Sequence, residues 1–278
     1  SKYMVYTVTA RKWRPQKFED VVAQEHITTT LENAILTNRI AQCYLLCGPR
    51  GVGKTTTARI IAKALNCEKK DGANPCNSCS SCESISLGTS LNLLEIDGAS
   101  NNKVDDIREL REVIRYVATE GLYKVYIIDE VHMLSKSAFN ALLKTLEEPP
   151  SHVIFIFATT EVHELPDTIL SRCQRYNFRR VGEGRIAKHL SYIAEQEGVA
   201  AEMSALYLIA SRADGALRDA ESLFDQVIAF DESKITIDSV EQVLGLVDQK
   251  IYFKLLSSIN EADSSNVLKL IELVVESG

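Results

Sequence analysis

The chain has 278 residues, 45% hydrophobic and 25% charged, with seven cysteines and a formal net charge of -7 from 31 Lys+Arg against 38 Asp+Glu. This is enough to bury a proper core in two or more domains, and no run of about 18 apolar residues marks a membrane-spanning helix. The acidic balance excludes coating nucleic acid through bulk charge, so a nucleic-acid site has to be local, and SKYMVYTVTARKWRP lacks the apolar core of a secretory signal, which leaves the cytoplasm as the expected location and no membrane partner.

In chain order, a helical pattern over 25–37 is followed by an apolar strand at 43–47 (CYLLC) and a helical pattern over 54–66. Further strand-like runs lie at 91–96, 124–129 (KVYIID), 153–158 (VIFIFA) and 174–178, with helical patterns over 102–118 and 135–147 between them. Ser135 starts the last of these helices and Pro149-Pro150 stops it. Strands alternating with helices predict an α/β domain with a parallel sheet, ending near Arg180. After Gly182 the β-rich runs cease, and apolar residues recur every three or four positions through 185–197, 203–213 and 216–230, which predicts an all-helical domain. From about 243, two more amphipathic segments run up to the last residue without a stop signal, so the chain is expected to end inside a third helical unit and to be a fragment. The resulting division is 1–181, 182–242 and 243–278.

The segment Gly48-Pro49-Arg50-Gly51-Val52-Gly53-Lys54-Thr55 fits G-x-x-x-x-G-K-[ST] between a strand and a helix. Glycines let backbone N–H groups close around phosphate oxygens, Lys54 supplies charge to the outer phosphates, and Thr55 can reach Mg²⁺. Further on, Asp129 and Glu130 end the strand KVYIID. Taken alone, an acidic pair there reads as a helix N-cap. With the phosphate loop upstream it reads as Asp129 in the Mg²⁺ shell and Glu130 polarising the attacking water. ATP with Mg²⁺ is therefore the expected ligand.

GPRGVGKT, IIDEVHMLS, LLKTLEEPP, ATT, ILSRC and GALRDA occur in this order. The chain thereby resembles the AAA+ ATPases of the clamp-loader family, and RKWRP, FEDVVAQEH and a cysteine cluster narrow the likeness to the gamma/tau group of the bacterial DNA polymerase III holoenzyme. The resemblance implies a P-loop AAA+ sheet domain followed by a helical lid domain and the start of a collar-type domain. It also implies an ATP-driven motor that opens a sliding clamp and loads it onto primer-template DNA. Its partners would be the clamp, delta- and delta-prime-type loader subunits and copies of itself. By position, Thr160 would sense the γ-phosphate, Arg172 would act on a neighbouring subunit's ATP, and Arg218 would touch the phosphates of its own subunit. Without the family, both arginines read as surface or ion-pairing residues. Gly48 to Thr55 with Thr56 would hold the phosphates, while Arg11 and Val22 would line the adenine; a basic arm around Trp13 is the bland alternative. Ala23 stands where relatives often have glycine. Lys103, Arg108, Lys144 and Thr168 would touch DNA phosphates, against a solvated helix face as the other reading. Asn101 replaces a frequent arginine.

The family carries a zinc module, here about 67–90, with Cys67, Cys76, Cys79 and Cys82 as ligands. The spacing C-x2-C-x2-C suits adjacent thiolates on one ion, and four protein ligands leave no open position, so Zn²⁺ would be structural. An iron-sulfur cluster is the competing occupant. Cys43, Cys47 and Cys173 sit in or beside apolar strands and read as small core residues. Two other functions remain open to the residues: a DNA helicase or branch-migration motor, which shares the phosphate loop and acid pair, and a non-catalytic replisome scaffold.

Overall fold

The stretch VIFIFAT at Val153–Thr159 is buried at every position, which in a strand requires cover on both faces. A computed structural model, describing residues 7–100, 123–231, 233–245, 249–261 and 263–276, supplies that cover. The helix expected over 102–118, with Lys103, Arg108 and Asn101, lies outside the described residues.

The chain divides into two compact units, the first of them Trp13–Gly182 together with Ala216–Arg218. It holds a five-stranded sheet of β1 (Cys43–Cys47), β2 (Leu93–Asp97), β3 (Lys124–Asp129), β4 (Val153–Thr159) and β5 (Gln174–Asn177), ordered β2-β3-β4-β1-β5. Every pairing is parallel. Its helices are α1 (Glu25–Leu36), α2 (Lys54–Asn66), α3 (Ser80–Leu87), α4 (Lys136–Glu147) and the single turn α5 (Asp167–Leu170).

Alternation along each strand separates two cores. Ile154, Ile156 and Ala158 of β4 join Leu31 of α1 and Ile60 and Ile61 of α2 on one face. Val153, Phe155 and Phe157 join Phe139, Leu142 and Leu146 of α4 on the other. Truncating one of these buried phenylalanines to alanine costs about 3–5 kcal/mol. Helix α4 begins where the Ser135 hydroxyl accepts from the Ala138 N–H at 3.2 Å, a cap worth about 1 kcal/mol.

The second unit contains the other described residues, including those before Trp13 and those from Asp219 onward. The helices after the sheet are α6 (Glu183–Glu197), α7 (Met203–Arg212), α8 (Leu217–Phe230), α9 (Ile237–Val243), α10 (Gln249–Asn260) and α11 (Ser264–Glu276). Ile186, Leu190 and Ile193 of α6, Leu206 and Ile209 of α7, and Phe224 and Val227 of α8 are buried. The spacing of these residues, about one helical turn apart, is what made the helices legible. A two-residue parallel pair, β6 (Ala200–Ala201) with β7 (Lys234–Ile235), interrupts the helices; it is too short to leave a pattern. Thr9, in a helical turn over Thr9–Lys12, bonds both carboxylate oxygens of Asp225 through its N–H and hydroxyl.

One expectation is corrected. Cys43 is a core residue, but it is also disulfide-bonded to Cys173, 130 positions away. In the β1–β5 ladder Tyr44 lies opposite Gln174, so the two preceding residues face each other with Cα atoms 4.6 Å apart. Cys47 remains a buried free thiol.

Candidate functional site

Strands β3, β4 and β1 are hydrogen-bonded neighbours, and their C-terminal ends deliver the acid pair, Thr160 and the phosphate loop to one edge of the sheet. Ligands of open parallel sheets bind at such an edge, where the strand order reverses. The loop packs against the end of β5 so tightly that a Cβ on Gly48 would sit 2.6 Å from the Phe178 carbonyl oxygen, and Gly48 itself has φ +146°. Gly53, at φ +102°, turns the chain into α2, whose N-terminal N–H groups then face the loop.

Lys54 is buried, and its ammonium donates to the carbonyls of Gly48 at 2.8 Å and Pro49 at 2.7 Å. Burial lowers its pKa, while the charges of Glu130 and Asp129 oppose that shift. The next residue completes a link across the sheet, because the Thr55 hydroxyl donates to Asp129 Oδ2 at 2.6 Å. A hydroxyl and a carboxylate converging in this way suit a hard divalent cation.

Asp129 Oδ1 accepts the Glu130 N–H at 2.9 Å. Glu130 itself adopts φ 46° and ψ 47°, the left-handed region that a non-glycine residue enters at a cost of about 1–3 kcal/mol. The turn aims its carboxylate at Thr160, whose hydroxyl and N–H donate to Glu130 Oε2 at 3.1 and 3.4 Å. Thus Lys54, Thr55, Asp129, Glu130 and Thr160 form one connected group.

Four participants escaped the sequence reading. His132 Nδ1 lies 2.9 Å from Thr159 Oγ1 and 3.5 Å from Glu130 Oε2, on the buried side of the acid pair. Gly98, just after β2, donates to the Asp129 carbonyl at 2.8 Å, and a Cβ there would lie 2.6 Å from the Glu130 carbonyl oxygen. Arg175 and Arg180, with Arg50, line a cavity of about 490 Å³ beside Gly48 and Thr160. Arg175 Nε donates to Asn177 Oδ1 at 2.9 Å. The histidine following DEV was the visible signal; the others depend on strand register.

The remaining candidates are more dispersed. Val52 is buried, Thr56 and Val22 are half-buried, and Arg50 is exposed. Val21 reaches Gly53, with Cγ1 3.9 Å from where a Cβ would stand. Arg218 donates its N–H to the Gly51 carbonyl at 3.3 Å, whereas Arg11 belongs to the second unit. Arg172 donates to the Thr168 carbonyl at 2.8 Å and approaches Glu147 Oε1 at 3.5 Å. Lys144 and Thr168 are exposed.

Away from this group, the Sγ atoms of Cys67, Cys76, Cys79 and Cys82 all lie within 4.8 Å of one another. Three amides point at the sulfurs: Cys76 N–H at Cys67 Sγ and Cys79 N–H at Cys76 Sγ, both at 3.3 Å, and Ser78 N–H at Cys76 Sγ at 3.5 Å. The Ser78 N–H, seconded by its hydroxyl, lowers Cys76 to about 6, while burial raises Cys67 and Cys82. Four sulfurs so placed can hold a metal ion.

The family model described as "DNA polymerase III, delta subunit" matches residues 23–182, and that described as "DNA polymerase III clamp loader subunit, ATPase lid domain" matches 185–232. Over 275 residues the chain is 48% identical to DNA polymerase III subunit tau of Bacillus subtilis (strain 168), covering 99% of this chain and 49% of that protein. Over 268 residues it is 48% identical to subunit tau of Escherichia coli (strain K12), covering 96% and 42%. Subunit gamma of Buchnera aphidicola subsp. Acyrthosiphon pisum is 43% identical over 275 residues, covering 99% and 76%. The chain therefore spans half or less of the tau relatives. Among solved structures, the Thermotoga maritima RuvB Holliday junction branch migration motor matches with a TM-score of 0.62 at 21% identity, over 90% of this chain and 80% of that one. This likeness establishes a shared α/β fold followed by helices. The chain belongs to the clamp-loader family of DNA polymerase III subunits, in its gamma/tau group.

Proposed function

We propose that the chain is the ATP-driven motor of a DNA polymerase III clamp loader. It binds ATP with Mg²⁺ and uses hydrolysis to open a sliding clamp and load it onto primer-template DNA. The observation that carries this reading is the unbroken set of contacts from Thr55 through Asp129 and Glu130 to Thr160, beside a buried Lys54.

In this reading the loop amides from Gly48 to Thr55, Thr56 and the start of α2 receive the phosphates, and Lys54 exchanges its two carbonyl partners for phosphate oxygens. Thr55 and Asp129 hold Mg²⁺, which supplies charge neutralisation across the outer phosphates. Glu130 orients and polarises the attacking water, Thr160 reads the terminal phosphate, and Arg218 contacts the phosphates of its own subunit. Val22 and Arg11 line the base. Arg172 acts on the ATP of an adjacent subunit, so that turnover depends on assembly.

The four cysteines hold a structural Zn²⁺, the amide-to-sulfur contacts supporting thiolate ligands. Residues 182–242 act as the lid, and 243–278 begin a further helical domain. Lys144, Thr168, Lys103 and Arg108 meet DNA phosphates. The partners are the clamp, delta- and delta-prime-type subunits and further copies of the chain, in the cytoplasm. Among the described residues no helix is long and apolar enough to cross a membrane.

The test is steady-state ATP hydrolysis by the full-length subunit with the other loader subunits and the clamp, with and without primer-template DNA. Joint stimulation by clamp and DNA is expected. Absence of stimulation, with duplex unwinding instead, would replace the reading with a helicase.

A further inference from the structure

The cysteine segment grips the residues that lead to the nucleotide site. The Asn74 side-chain carbonyl accepts the Phe18 N–H at 2.9 Å. Lys63, buried on α2, donates to Gln16 Oε1 at 2.6 Å and to Asn77 Oδ1 at 2.7 Å. Asn77 Nδ2 returns a bond to the Gln16 carbonyl at 3.3 Å. Both asparagines belong to the loop between Cys67 and Cys79, and Asn77 directly follows Cys76.

Packing carries the grip onward. Ala73, from the same loop, shares one buried cluster with Phe18, Val21 and the phosphate-loop residue Val52. Val21 in turn lies against Gly53. At its far end the segment is anchored by Gln24, whose amide bonds the backbone of Arg179 twice, at 2.8 and 3.1 Å. Its near end, residues 16–18, is tied through Lys63, Asn74 and Asn77.

Those ties need a loop of fixed shape. Asn77 has φ 58°, a left-handed conformation that asparagine tolerates, and within the loop the only isolated β-bridge among the described residues joins Asp71 to Asn74. Closure of four thiolates on an ion is what would hold this short irregular loop in one conformation.

We propose that the cysteine segment is a strut for the nucleotide site, holding residues 16–22 against the phosphate loop, with Lys63 and Asn77 as positioning residues for the adenosine part of ATP. The proposal rests on the nucleotide-binding reading above. Binding of adenosine and of the phosphates is thereby separable: the phosphate loop holds the phosphates, and the strut sets the wall that meets the base and sugar.

The experiment compares equilibrium binding of ATP and of tripolyphosphate to the parent chain loaded with Zn²⁺, to the parent stripped by a chelator, and to Zn²⁺-loaded Asn77→Ala, Lys63→Met and Gln16→Ala. With one zinc retained, each variant should bind ATP about tenfold more weakly while its tripolyphosphate affinity is unchanged. Stripping zinc should have the same effect, and Asn77→Ala should add nothing further in the stripped chain. Zinc-loaded variants with parental ATP affinity, or with equal losses for both ligands, would overturn the strut. A parent chain that binds no ATP would instead overturn the nucleotide site itself. Amide exchange of residues 16–22 in the parent, with and without zinc, needs no variant to fold: faster exchange in the stripped chain is expected, and identical exchange would refute the proposal.

Discussion

Thr160 reaches one carboxylate oxygen of Glu130 twice, through its hydroxyl at 3.1 Å and its backbone N–H at 3.4 Å. The residue after β4 thus aims the residue after β3, and a change felt by Thr160 is felt at the carboxylate. Glu130→Gln keeps an acceptor in place but removes the base strength. It should lower turnover of the assembled complex by about 10²–10⁴-fold and leave ATP affinity within about threefold. Parallel binding and single-turnover measurements check this, and equal losses in both would assign Glu130 to binding.

Gly98 seats the acid pair from the neighbouring strand. A methyl group there would lie 2.6 Å from the Glu130 carbonyl oxygen and 3.0 Å from that of Asp129, both backbone atoms. Gly98→Ala should cost about 1–3 kcal/mol in denaturant unfolding and reduce turnover further than that loss explains. A variant with parental stability and turnover would mean the strand ends can part freely.

Ala23 occupies the left-handed region at φ 59°. An L-residue pays about 1–2 kcal/mol there and glycine does not, though glycine loses more entropy on folding. Ala23→Gly should therefore be neutral to stabilising by about 1 kcal/mol, read from the denaturant midpoint. Clear destabilisation would show that the Ala23 methyl makes contacts outweighing the backbone strain.

Two buried tyrosines contribute to the response to alkaline pH. The hydroxyls of Tyr126 and Tyr176 are buried without a hydrogen-bond partner among the described residues, and burial pushes both up to about 12. Between the unfolded value of about 10 and that figure the native state holds protons the unfolded chain has released, so stability is full below pH ~10 and falls as pH rises toward ~12. Tyr126→Phe removes an unsatisfied polar group and should raise stability by about 1 kcal/mol near neutral pH, with a shallower alkaline decline. Unfolding curves at pH 7, 10 and 11.5 would decide.

Arg172 is held outside the connected group by the Thr168 carbonyl and by Glu147. Arg172→Ala should leave ATP binding by the isolated chain unchanged and lower turnover of the assembled complex about 10³-fold or more. Unaltered turnover in the complex would end its role across the subunit boundary.

Strands β1, β3 and β4 were legible because both of their faces are buried, so VIFIFA and KVYIID read as unbroken apolar runs. Helix α4 was legible from Ser135 and from Pro149-Pro150, since a cap and a stop are local chemistry. The phosphate loop and acid pair carry their own spacing. Thr159, Gly98 and the Cys43–Cys173 pair were hidden because each acts through strand register, which no local pattern encodes; His132 stood in view after DEV, but its contact with Thr159 is long-range. The grouping of the residues before Trp13 with the later helices is likewise a long-range fact.

The bond between Cys43 and Cys173 encloses everything from the phosphate loop to the acid pair and Thr160 in one covalent ring. A single proteolytic cut anywhere between those two cysteines, even one that separates Lys54 from Asp129, leaves a molecule of undiminished mass on a non-reducing gel. Only a thiol reductant reveals the break as two fragments.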